Sequence, residues 1–171
     1  MPGWDSYRTV HGAELRAAAR EFLDHGWPVA EKSDDTLLLI TGRVLDVLEV
    51  PAAIGRGVCG ELRDADLVVP VAATPTGAWW YPITPGAVLP PALRGVAGVV
   101  LHGAGDAVAA PPSQVPDGWV HWRVAPAACD YGVAPADLIL SAAARAVALR
   151  ADDTHPGAQR PAGAVAVGMR S

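Results

Sequence analysis

The order of its periodic segments is what most constrains this chain. An amphipathic helix opens it, short apolar segments of strand type follow with one helix among them, and an Ala-rich helix comes last. In the first helix Leu15, Ala18, Ala19, Phe22 and Leu23 recur at helical spacing and form one apolar stripe. Gly26 is a suitable stop and Pro28 prevents continuation. Strands are expected at Trp27–Ala30, Thr36–Ile40, Arg43–Val50, Leu67–Ala73 (broken at Pro70), Ala78–Ile83, Val96–Leu101, Ala107–Ala110 and Trp119–Val124. Helices are expected at Pro51–Arg63 and Pro135–Arg150, the former weakened by Gly55, Gly57 and Gly60. Residues 84–95 hold three prolines and read as loop. Strands that do not alternate strictly with helices favour an α+β fold, with a mainly antiparallel or mixed sheet flanked by helices, over a doubly wound sheet. One domain spans residues 1–150. Residues 151–171, short of large apolar side chains, read as a disordered tail.

Charge and cysteine usage narrow the function. A net charge of −5 argues against a broad basic nucleic-acid face. No apolar run has the length of a membrane span, and Met1–Arg20 holds no signal-peptide core, so the expected location is the cytoplasm. Cys59 and Cys129 alone cannot build a disulfide framework or a Cys-based zinc site.

Two acids stand inside the apolar strand Val44-Leu45-Asp46-Val47-Leu48-Glu49-Val50. Paired on one face, they would suit a divalent metal. Strand side chains alternate, however, so Asp46 shares a face with Leu48 and not with Glu49. His102-Gly103-Ala104-Gly105-Asp106 is either a phosphate-approaching Gly-rich turn or a simple hairpin turn. Trp79-Trp80-Tyr81 reads as core packing or as a base-stacking surface. On the last strand, His121 and Arg123 share one face and are candidate phosphate contacts, or simply exposed.

Four ordered pieces together resemble the N-terminal domain of bifunctional DNA primase/polymerases, most closely its short actinobacterial members. They are Ala17-Ala18-Ala19-Arg20-Glu21-Phe22 with Gly26-Trp27-Pro28-Val29; Thr41-Gly42-Arg43 with Val44-Leu45-Asp46-Val47; Thr74-Pro75-Thr76-Gly77-Ala78; and His102-Gly103-Ala104-Gly105 through Ala110-Pro111-Pro112-Ser113, then Trp122. The resemblance implies nucleotidyl transfer by metal-binding acids and a phosphate-contacting histidine. It puts Asp46 on the first acid, Leu48 on the second, Trp80 on the histidine and Val100 on the third acid. Only the first position keeps its chemistry, and one aspartate cannot hold two ions.

The expectation is therefore a degenerate primase/polymerase-like domain acting as a non-catalytic binding or accessory module, without a cofactor. Single-stranded DNA, a nucleotide, a protein partner or a second copy of the chain are the expected ligands. The alternatives are an active, Mg²⁺- or Mn²⁺-dependent enzyme and a protein-interaction module. An active form would use a shifted set, Asp46, Glu49 and His102, with Asp46 and Glu49 on the metal. Nucleotide or nucleic-acid contacts would come from Arg43, Thr76, Gly77, Trp80, Gly103, Gly105, His121 and Arg123.

Overall fold

The computed structural model describes residues 4–154, with side chains described from Gly12 onward. Helix α1 runs Trp4–Asp24, β1 Val29–Ser33, β2 Thr36–Ile40, β3 Asp46–Pro51, α2 Ala52–Asp64, β4 Val71–Ala73 and β5 Ala78–Ile83. A 3₁₀ turn at Pro91–Leu93 precedes β6 Val100–His102 and β7 Ala107–Ala110. The short hairpin β8 Gln114–Val115 and β9 Gly118–Trp119 leads to β10 His121–Val124, a 3₁₀ turn at Pro126–Cys129 and α3 Ala136–Asp153. The last helix thus continues past Arg150 to Asp153. The rest of the expected tail, from residue 155, lies outside the described residues. Among the described residues, no helix is long and apolar enough to cross a membrane.

The α+β expectation holds. One sheet has the order β1-β2-β7, a second β10-β4-β5-β3-β6, and neighbours within each pair antiparallel. Strand alternation gives the larger sheet two apolar faces. Leu48, Val50, Trp79, Tyr81 and Ile83 pack with Ile54 and Val58 of α2 and Ile139 and Ala143 of α3. Val47, Ala72 and Trp80 face the other way, in a core with Phe22, Trp27, Leu37 and Leu39. This second core binds α1 and the smaller sheet to the larger one.

Several strands are shorter than their apolar runs. The chain at 42–45 is a loop closed by the Gly42 N–H donating to Leu45 O at 2.8 Å, so β3 begins at Asp46. Pro70 lacks an N–H for a ladder, and only Val71–Ala73 pairs. Val96–Val99 is spent in turns, and β6 starts at Val100. The first short strand is displaced to Val29–Ser33, leaving Trp27 and Pro28 outside it. The alternation expected over Trp119–Val124 is interrupted by a register shift between Trp122 and Val124, which puts Val124 against the helix-side core while Trp122 packs in the other.

The glycines that weaken α2 as an isolated helix have a packing reason. A Cβ at Gly55 would lie 2.5 Å from Trp79 Cε3, and one at Gly57 would lie 2.8 Å from Ala146 Cβ. Close approach of α2 to β5 and α3 therefore outweighs a propensity cost of about 1 kcal/mol per glycine.

Candidate functional site

Two of the family-like pieces, Thr41-Gly42-Arg43 and the His102–Ser113 stretch, meet around the β6–β7 turn. Thr41 donates through Oγ1 to Gly103 O at 2.6 Å, and its N–H donates to Asp106 O at 3.1 Å. Gly42, at φ +102°, lies so close that a Cβ would sit 2.3 Å from Ala104 Cα. Ser113 is fully buried and bridges both backbone groups of Leu37, accepting from its N–H at 2.8 Å and donating to its carbonyl at 3.0 Å. The Thr-Gly and Pro-Pro-Ser pieces are thus fasteners between the β6–β7 segment and β2.

Asp46 opens β3 and is 2% exposed. Its Oδ2 accepts the Gly86 N–H at 2.9 Å and the Ala87 N–H at 3.3 Å. Oδ1 is buried and has no partner among the described residues. Gly103 covers the carboxylate, its Cβ position 3.9 Å from both oxygens. In this setting Asp46 anchors the loop after β5 by charge-assisted hydrogen bonds.

Glu49 lies on the opposite face of β3, because the register from Asp46 to Pro51 against β5 is unbroken. It is paired with Trp80 on one side and Val100 on the other. His102 Nε2 lies 3.1 Å from Glu49 Oε2, and Nδ1 lies 2.6 Å from Asp106 Oδ2. The imidazole is mostly enclosed, with the two carboxylates at opposite ring nitrogens. Hydrogen bonding to Glu49 raises the His102 pKa above its usual 6.5, burial opposes this, and Asp106 adds to it. The Asp106 pKa is lowered, first by the Ala107 N–H and then by His102. Asp106 also caps the turn, accepting the Ala107 N–H at 2.8 Å. It was not among the candidate site residues, although its i,i+4 spacing from His102 around a Gly-rich turn is the signal that points to it.

The remaining candidates are dispersed. Thr76 and the positive-φ Gly77 are exposed in the β4–β5 turn, beside Pro51 at the far end of β3 from Gly103. Five residue steps along β3 separate these turns by roughly 17 Å. Arg43 is exposed in the 42–45 loop, and Gly105 sits with positive φ at the tip of the β6–β7 turn. His121 and Arg123 lie on β10, the opposite sheet edge from His102 and roughly 19 Å away at strand spacing. Arg123 stacks its guanidinium 4.1 Å from the Trp79 ring centroid. Trp80 is buried edge-on against Trp122, ring centroids 5.2 Å apart, and offers no open stacking face.

Glu49 and His102 come together, therefore, while Asp46 does not join them. Leu48 is fully buried against the helices and supplies no oxygen. Among the described residues no group of three or more His, Cys, Asp or Glu side chains is placed to hold a metal ion. With Leu48 buried beside Asp46 and no such group around it, these residues do not fit a two-metal centre. Near the Gly-rich turn, Glu49 and Asp106 supply negative charge that opposes a phosphate.

Two antiparallel sheets joined through a Gly-rich turn and backed by helices define an α+β domain. The family profile of the bifunctional DNA primase/polymerase N-terminal domain, Prim-Pol, matches residues 2–138, and the chain belongs to that family. Neither the curated proteins nor the solved structures hold a match to the chain.

Proposed function

We propose that this chain is a Prim-Pol domain that does not carry out nucleotidyl transfer and serves as a binding or accessory module. The carrying observation is the side-chain chemistry at the positions the family resemblance assigns to catalysis. Leu48 stands buried at the second acid, Trp80 is committed to the core, and Val100 brings no carboxylate. Asp46 is the one acid left there, and it is occupied by two backbone N–H groups. Metal bridging and neutralisation of a triphosphate need more oxygen ligands than this. The polar cluster Glu49–His102–Asp106 instead ties β3 to the turn between the two sheets, a positioning role.

The test is primer synthesis on a single-stranded DNA template with Mg²⁺ or Mn²⁺. The expected result is no extension above background, unchanged in Asp46→Ala. Robust extension that Asp46→Ala abolishes would overturn the proposal. The module reading further predicts that a labelled single strand, a nucleotide or a protein partner is retained by the full chain at low salt.

A further inference from the structure

A third region carries chemistry that the Prim-Pol reading does not use. A hollow of about 320 Å³ lies between α1, the Pro111-Pro112 segment, β10 and the turn that follows it. That volume is at the lower end of small-ligand sites. Phe22, Trp122 and Tyr131 contribute aromatic wall, Pro112 and Pro126 apolar wall, and Glu21 a carboxylate. Thr41, Gly42 and Ser113 do not line it, and neither does any residue of the Glu49–His102–Asp106 cluster.

Its tyrosine wall is held in an unfavourable backbone conformation. Asp130 and Tyr131 both have positive φ, +51° and +56°. Such residues cost on the order of 1–3 kcal/mol each and persist where their surroundings over-determine them. Tyr131 is fixed from several sides. Its N–H donates to Pro126 O at 2.9 Å, and its ring stacks on His25 with centroids 3.7 Å apart. It meets Trp27 nearly at right angles, ring centroids 5.5 Å apart, and the Trp27 Nε1–H donates to the Tyr131 carbonyl at 3.2 Å. Its hydroxyl donates to Glu21 Oε1. Desolvation and this carboxylate push the phenol pKa well above its usual value, which keeps it a donor. The outcome is a preset aromatic wall with an acceptor carboxylate beside it, whose other oxygen carries no hydrogen bond among the described residues.

We propose that this hollow binds a guanidinium group. A guanidinium is flat and weakly hydrated, so it can lie against an aromatic ring at little desolvation cost. Its N–H fork pairs with a carboxylate at the same time. An anion would meet the Glu21 charge, and a neutral apolar ligand would leave Glu21 unused. The group could arrive on a small molecule or on an arginine side chain of a partner protein, and the head-group chemistry is the same for both. The inference does not rest on the catalytic status of the domain.

The full chain is titrated with Nα-acetyl-arginine amide, its uncharged citrulline counterpart and methylguanidine, followed by ¹H–¹⁵N NMR shifts around Trp122 and Tyr131. The arginine derivative is expected to bind about tenfold tighter than the citrulline one. Glu21→Gln, at an exposed position, should erase most of that preference. Tyr131→Phe retains the ring and frees Glu21, so the preference should survive it. Methylguanidine binding as well as the arginine derivative assigns a small-molecule source, whereas a clear advantage for the arginine derivative assigns a protein side chain. Absence of shifts at these residues, equal binding of the citrulline derivative, or a charge preference untouched by Glu21→Gln would each overturn the proposal.

Discussion

The two faces of β3 make the most instructive comparison in this molecule. One carries Asp46, Leu48 and Val50; Leu48 and Val50 are sealed by α2 and α3, and Asp46 by the 86–87 loop and Gly103. The other carries Val47 and Glu49, and toward the sheet edge it stays partly open, with Val100 42% exposed. Both faces bear one acid. On the closed face the acid accepts two backbone N–H groups through one oxygen while the other is buried without a partner among the described residues, and on the open face the acid meets an imidazole shared with a second carboxylate. The three-residue separation of Asp46 and Glu49 keeps them apart, since an odd spacing on an unbulged strand sends side chains to opposite sides. A strand can thus keep two acids and still have no place where two carboxylates meet. Each face can be challenged separately.

The largest effect is expected on the closed face. Leu48→Asp restores the side-chain type that the family resemblance assigns to that position. It also buries a charge where α2 and α3 leave no water, and Leu48 is fully buried. An uncompensated buried charge costs about 3–5 kcal/mol. Urea unfolding should therefore show a large loss of stability, with no primer synthesis gained. A variant that stays within about 1 kcal/mol of the parent and acquires Mn²⁺-dependent extension would show that this face opens to ligands.

Asp46→Ala should have a smaller cost, about 1–3 kcal/mol, because it leaves the Gly86 and Ala87 N–H groups without their acceptor. Amide hydrogen exchange should quicken at Gly86 and Ala87 and remain unchanged at the Thr76–Gly77 turn, at the other end of β3. Unaltered exchange at Gly86 and Ala87 would refute the anchoring role.

Much of this contrast was legible in the sequence. The α+β class followed from element order, and alternation alone separated Asp46 from Glu49. Other features depended on contacts that no local pattern encodes. The alternating run Trp119–Val124 gives no hint of the register shift that moves Val124 to the other core. Gly55 reads as a weak point in α2 until Trp79 is seen packed on it. The antiparallel register of β3 with β5 and β6 sets the two Gly-containing turns at opposite ends of one strand, so residues that read as one nucleotide site are spread across the sheet. Glu21 and Tyr131 are 110 residues apart in sequence, and only tertiary packing joins them.

The smallest effect is a pH dependence on the open face. The folded-state pKa of His102 is raised above 6.5, so the stability it contributes is complete below about pH 6.5 and is lost as pH rises through the folded value. The folded-state pKa of Asp106 is lowered below 3.8, so its contribution is present above about pH 3.8 and is lost as pH falls through the folded value. The Glu49–His102–Asp106 clasp is therefore strongest between those limits. Asp106 is half exposed and solvent screens its share, so the total falls at about 1 kcal/mol or less. Denaturant unfolding from pH 5 to 9 should show stability declining on the alkaline side, and His102→Gln should flatten that decline. Imidazole NMR would assign it directly, with one His titrating above the normal range and returning toward it in Glu49→Gln. A decline that persists unchanged in His102→Gln would place the pH-sensitive contact elsewhere and leave the open face of β3 held together by packing alone.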